Sequence, residues 1–85
     1  MTRVVFLYHD VNEDLFALFP DNIAQIKGGS KFYLSDSSIG QHGDCSMRYI
    51  KECRMAQPNE FADLKYELEH VVGYQLDVLD INPLM

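Results

Sequence analysis

The fold of this chain is decided by residues 58–73, which read PNEFADLKYELEHVVG. Proline suits the first position of a helix, and glycine suits the residue just past its end. Between the two, apolar side chains recur three or four residues apart, which is the spacing of one helix face. They are Phe61, Leu64, Leu68 and Val71. The stretch therefore predicts an amphipathic helix over about residues 58–72, with those four side chains seated on a sheet.

Four other segments have the composition and alternation of β-strands. They are residues 3–9, 15–19, 31–35 and 74–81. The first is apolar on both faces, as a central strand is, and polar residues join it to the second in a hairpin. Pro20 lacks the N–H that a strand ladder needs, so we expect it to end the second strand and residues 21–27 to form a loop.

The segment 46–53 fits two patterns. Met47, Ile50 and Cys53 have helical spacing, whereas Met47, Tyr49, Lys51 and Cys53 alternate as in a strand. Periodicity alone leaves both alternatives open. The firmer elements predict an α+β fold, in which a small, mainly antiparallel sheet of four or five strands carries one amphipathic helix on one face. With 85 residues, the chain is expected to form a single domain, 1–85.

Composition narrows the classes of function. Thirteen acidic side chains outnumber seven Lys and Arg for a net charge of −6, which disfavours binding to nucleic acid or to an anionic membrane. No apolar run reaches the roughly 18–20 residues that span a bilayer, and no basic segment leads into an apolar signal core. Cys45 and Cys53 are too far apart along one segment for a disulfide, so we expect two free thiols and a cytoplasmic protein.

Three fragments of the chain form a recognisable pattern. They are residues 17–20 (ALFP), residues 39–43 (IGQHG) and residues 56–64 (AQPNEFADL), the last running on through Glu67-Leu68 to Gly73-Tyr74. Together they resemble a family of small uncharacterised proteins, and the resemblance spans residues 17–78. The family has no assigned activity, cofactor or catalytic residue, so the resemblance implies none for this chain.

The resemblance bears on two local questions. Family members usually have threonine where this chain has Gln57, and threonine caps a helix better, so we expect the helix start to fray. In the family the segment before the helix is extended more often than helical. The resemblance therefore implies a fourth strand over residues 46–53.

The longest polar stretch, residues 35–45, consists largely of turn-forming residues and is expected to be a loop. We predict that it is the binding surface, with Gly40, Gln41, His42 and Gly43 as the contact residues. The leading hypothesis is a non-enzymatic binding or regulatory module that acts on a protein partner through this loop. An exposed edge strand would also allow a homodimer by sheet extension.

The main alternative is a small hydrolase or transferase that uses Cys45 with His42, because an imidazole near a thiol can create a nucleophile. Asp44 or Asp36 would orient the imidazole, and the amide of Gly40 or Gly43 would stabilise an oxyanion. Without such a role, Cys45 packs as a small hydrophobic side chain.

A third hypothesis is a metal-stabilised module. Its ligands would come from the histidines and cysteines, which are His9, His42, His70, Cys45 and Cys53. None of these residues shows the short repeated spacing of a zinc ribbon or finger. The sequence therefore predicts no metal ligand and no cofactor.

Overall fold

A computed structural model describes residues 1–37 and 42–85, and of His42 it describes the backbone only. The strands are β1 (Thr2–His9), β2 (Asp14–Lys27), β3 (Ser30–Asp36), β4 (His42–Ser46), β5 (Arg54–Met55) and β6 (Leu76–Val78). The helices are α1 (Met47–Lys51) and α2 (Pro58–Glu67), and α2 continues as a π-helical turn, Leu68–Val72. The α+β prediction is confirmed: a mostly antiparallel sheet carries one helix of 15 residues.

The sheet has the strand order β4-β3-β2-β1-β5. β6 pairs in parallel with Thr2–Val4 of β1, and β5 pairs antiparallel with Leu7 and Tyr8 of the same strand. On the side of β1 that faces away from β2, the first residues therefore pair with β6 and the last residues pair with β5. β1 is the central strand that its composition predicts, and its residues 4–7 are almost fully buried.

Both faces of the sheet are covered. On one face, α2 and its π-helical turn place Leu64 and Leu68 against Val4, Phe6 and Phe19. The ring of Phe61 stacks on that of Phe6, with centroids 4.3 Å apart. On the other face, Ile50 of α1 is fully buried in a second cluster that includes Val5, Leu7, Phe16 and Leu18. The second layer is the part of the architecture that the sequence did not predict.

The start of α2 is held by Glu60. Its carboxylate accepts a hydrogen bond from the backbone N–H of Gln57 at 2.7 Å and two from the guanidinium of Arg54, each at 2.8 Å. Because Glu60 supplies this capping contact, the helix start does not depend on a threonine at position 57.

The far end of the helix differs from the prediction. Leu68 is buried, but Val71 is 74% exposed, so its expected place in the apolar ridge is wrong. The π-helical turn explains this, because its wider winding rotates later side chains away from the face that Leu64 and Leu68 occupy. The N–H of Gly73 bonds to the carbonyl of Leu68 at 3.0 Å, and Gly73 ends the helix in the left-handed region as predicted.

The second strand is longer than predicted. β2 continues through Pro20 to Lys27, so the expected loop over residues 21–27 is wrong. The register with β3 shifts between Leu18 and Ile23, and an irregular ladder of this kind tolerates a residue without a donor. The chain then reverses at Gly28 and Gly29, both with positive φ, where the sequence predicted a break.

Three further predictions are corrected. The predicted strand over residues 46–53 is instead helix α1, whose start is capped by the Ser46 hydroxyl accepting from the N–H of Tyr49 at 3.2 Å. The predicted loop over residues 35–45 is shorter, because β3 extends to Asp36 and β4 begins at His42. The closing strand, predicted over residues 74–81, is likewise shorter and covers residues 76–78.

Within the described residues, no helix is long and apolar enough to cross a membrane.

Candidate functional site

The predicted site residues lie mostly at the start of β4. Gly40 and Gln41 fall outside the described residues, so their predicted roles concern a segment that lies between β3 and β4. β4 pairs with β3 in the register His42 to Asp36, Gly43 to Ser35 and Cys45 to Tyr33. The residues that were expected in a loop are therefore fixed in a strand ladder.

This register bears on the proposed Cys–His pair. Successive residues of a strand belong to opposite faces, so positions 42 and 45 fall on different faces of β4. Cys45 shares the face of Tyr33, with which it packs in the cluster beneath α1. Position 42 shares a face with its ladder partner Asp36 instead.

The chemistry of Cys45 also disfavours a nucleophile. Its side chain is only 6% exposed, and its thiol contacts the backbone carbonyl of Ser46 at 3.8 Å. Burial raises the pKa of Cys45 to about 12, and the negative fields of Cys53, Asp14 and Asp44 act in the same direction. A thiol with such a pKa stays protonated at neutral pH and does not attack.

Cys53 behaves in the same way. Burial raises its pKa to about 11, and its thiol donates to the carbonyl of Tyr49 at 3.3 Å. Both cysteines are free thiols, as their spacing predicts. Their environments are those of packing residues.

An open pocket of about 430 Å³ lies beside Cys45, between β2, β3, β4 and α1. We call it the β4 groove. Three aromatic rings, two carboxylates and one glycine are among the residues that line it: Phe16, Phe32, Tyr49, Asp14, Asp44 and Gly43. The groove therefore joins apolar walls to acidic groups next to the predicted binding segment.

Among the lining residues that the structure describes, the charged groups of the β4 groove are two carboxylates. Asp14 accepts a hydrogen bond from the Tyr49 hydroxyl at 2.9 Å, and Asp44 accepts one from the side-chain amide of Gln25. Both donors are neutral, and within residues 1–37 and 43–85 neither carboxylate forms an ion pair. The groove consequently has a negative potential, which is also felt at the sulfur of Cys45.

Tyr49, which forms one wall of the groove, is held by a network that the sequence analysis missed. The ring of buried His9 stacks on that of Tyr49 with centroids 4.6 Å apart. The N–H of Asn12 donates to Nδ1 of His9 at 3.1 Å, so Nε2 carries the proton and donates to Glu52 at 3.1 Å. Asn12 also donates through its side chain to the Tyr49 hydroxyl at 3.2 Å.

The signal for this network was present in the sequence, because a histidine ended an otherwise apolar strand and was followed by a polar hairpin. Only the fold brings α1 over that hairpin. As for metals, the described side chains contain no group of three or more His, Cys, Asp or Glu residues that could hold an ion.

Comparison with known proteins adds no relative to this geometry: no family model, curated protein or solved structure matches the chain. The resemblance to a family of small proteins stays a prediction. The β4 groove is therefore the feature from which a function can be inferred.

Proposed function

We propose that this protein is a non-enzymatic binding module that engages a protein partner through the β4 groove and the neighbouring segment 38–41. The observation that carries the proposal is the groove: an open pocket with aromatic walls, where the charged groups among the described lining residues are Asp14 and Asp44. The partner that fits is an extended peptide segment with a basic side chain, because complementary charge steers association and fixes orientation.

The strand that borders the groove supports an extended ligand. β4 is the last strand in the sheet order, and in the described part of the chain it pairs only with β3. An edge strand offers backbone donors and acceptors to which a peptide can add as a further strand. Side chains of such a peptide would alternate, and every second one would face the groove.

Binding is favoured over catalysis by the state of the thiol. Cys45 lines the groove, but burial keeps its pKa near 12, and the β4 register separates it from position 42. The groove thus has recognition groups, namely rings, carboxylates and backbone, without an activated nucleophile.

Gly43 allows a direct test. A Cβ built at this position meets only the Ser35 hydroxyl, at 3.8 Å, and the backbone is not in the left-handed region. Gly43→Val should therefore fold as the native chain does, since valine suits a strand, while its side chain occupies the groove. Ala62→Leu adds apolar bulk on an exposed position of α2 and serves as the matched control.

The measurement is binding of each protein to an array of random ten-residue peptides, with the melting temperature taken in parallel. The native chain and Ala62→Leu should select peptides rich in Lys or Arg, and Gly43→Val should lose at least about tenfold in affinity at an unchanged melting temperature. Equal binding by Gly43→Val, or selection of acidic peptides, would contradict the proposal.

A further inference from the structure

The part of β2 that extends beyond β1 forms a second unpaired edge. We call its residues 21–27 the β2 arm. All seven are exposed, and in the described part of the chain their backbone pairs with β3 on one side only. β1 is joined to this arm by side chains, since Arg3 donates two hydrogen bonds to Asp21 at 2.9 and 2.7 Å. The other side of the arm offers free backbone donors and acceptors, which natural proteins rarely leave uncovered.

The β2 arm also carries an unpartnered apolar stripe. Ile23 lies opposite Tyr33, and Ile26 lies opposite Lys31. Tyr33 and Lys31 are two residues apart on β3 and share a face, so the register shift at Ala24 brings both isoleucines to that same face. Ile23 is 47% exposed and Ile26 is 66% exposed.

Charge is distributed unevenly along the arm. Residues 22–35 contain Lys27 and Lys31 and no acidic residue, and the register of the hairpin places both lysines at its tip. The chain has a net charge of −6, of which these lysines contribute +2, so the remainder carries −8. At the base of the arm, the positive charge of Arg3 interacts with the negative charges of Asp21 and Asp77. These three side chains together carry a net charge of −1.

We propose that two copies of this chain pair their β2 arms edge to edge, antiparallel, about a twofold axis near Ala24. Asp21 and Lys27 are each three residues from Ala24. The pairing therefore places the basic tip of each arm beside the acidic base of the other, at both ends of the ladder. It also brings four isoleucines, Ile23 and Ile26 of each copy, to one face of the joined sheet.

A second copy of this chain is the partner that fits the unpaired edge, the exposed isoleucines and the uneven charge of the arm together. A twofold axis makes the interface self-complementary, which matches an arm that is basic at one end and acidic at the other. The ladder is only about seven residues long and is irregular at Ala24, so we expect a micromolar dissociation constant rather than an obligate dimer. This dimer uses a different sheet edge from the β4 groove and stands independently of the proposed function.

Sedimentation equilibrium of the full chain, up to about millimolar concentration, tests the dimer. The native chain should dimerise, and Lys27→Glu and Asp21→Lys should each dimerise at least roughly tenfold more weakly. An equimolar mixture of the two variants should recover the native affinity, because both ion pairs are restored in the heterodimer. Circular dichroism of each variant verifies the fold.

Two further variants complete the test. Lys51→Glu changes the net charge as Lys27→Glu does but lies at an exposed position of α1, away from the β2 arm, and it should dimerise like the native chain. Ile26→Thr keeps β-propensity, removes apolar area and should weaken the dimer. A native chain that is monomeric throughout, equal effects of Lys27→Glu and Lys51→Glu, or a mixture of charge variants that stays monomeric would overturn the proposal.

Discussion

The two faces of the sheet are built differently. The α2 face is closed by apolar contacts from Leu64, Leu68 and Phe61, and the carboxylate of Glu60 holds the start of its helix. The α1 face is apolar beneath Ile50, but its margin holds the His9–Tyr49 stack and the acidic β4 groove. The α2 face is thus a closed apolar layer, whereas the margin of the α1 face leaves aromatic rings and carboxylates open to a pocket.

The largest effect should come from the α2 face. Leu68→Ala removes a side chain that is 2% exposed in the core, and we expect a loss of roughly 2–5 kcal/mol in the free energy of unfolding. Val71→Ala, at a position that is 74% exposed on the same helix, should change it by less than about 0.5 kcal/mol. Urea unfolding measures both. Equal losses would show that Val71 belongs to the core ridge after all.

An intermediate effect is expected at the margin of the α1 face. Tyr49→Phe removes the hydroxyl that donates to Asp14 and accepts from Asn12 while keeping the ring on His9. The free energy of unfolding should fall by about 1 kcal/mol, as is typical for one such network. Tyr8→Phe, which also removes a tyrosine hydroxyl from a partly buried ring, is the control. A loss of unfolding free energy as large as that of Leu68→Ala would show that the Tyr49 hydroxyl stabilises the fold as much as a core side chain does.

A smaller, pH-dependent effect is expected at the start of α2. Hydrogen bonds from Arg54 and then from the Gln57 backbone lower the pKa of Glu60 from 4.5 to about 2. Because the folded pKa is depressed, the stabilisation is present above pH 4.5 and is lost as the pH falls through about 2. The urea midpoints of the native chain and Glu60→Gln should therefore differ at pH 7 and converge near pH 2. Asp63→Asn, which removes one carboxylate from an exposed position of the same helix, is the control.

The smallest effect is expected for the alkylation rate of Cys45 when His42 is replaced. Since burial raises the pKa of Cys45 to about 12, its alkylation by iodoacetamide at neutral pH should be slow. His42→Ala should leave that rate unchanged, and mass spectrometry of the labelled peptide gives the rate for each cysteine. Fast labelling of Cys45 that depends on His42 would revive the Cys–His enzyme hypothesis.

The two faces also differ in how far the sequence predicted them. The α2 face could be predicted because Pro58, Gly73 and the spacing of Leu64 and Leu68 act locally. Val71 could not, because a π-helical turn changes the winding without changing the residue pattern. On the β2 side, Pro20 predicts the end of a strand, but the irregular ladder with β3 accommodates a residue that has no N–H.

The α1 face could not be predicted from periodicity alone. Met47 and Ile50 fit both a helix and a strand, and the local signal that favours the helix is Ser46, a good N-cap residue. The β4 groove is formed by residues far apart in sequence, from Asp14 to Tyr49. Gly43, Asp44 and Cys45 were singled out by sequence and do line it, whereas Tyr49 and His9 gain their roles only from tertiary packing.

Recognition through the β4 groove is tested most directly by an NMR titration of the ¹⁵N-labelled chain with the strongest basic peptide from the array. We expect amide shift changes that are largest at Gly43, Asp44, Cys45 and Tyr49, with α2 unaffected. Shift changes confined to α2, or the same changes in the Gly43→Val variant, would contradict recognition through the β4 groove.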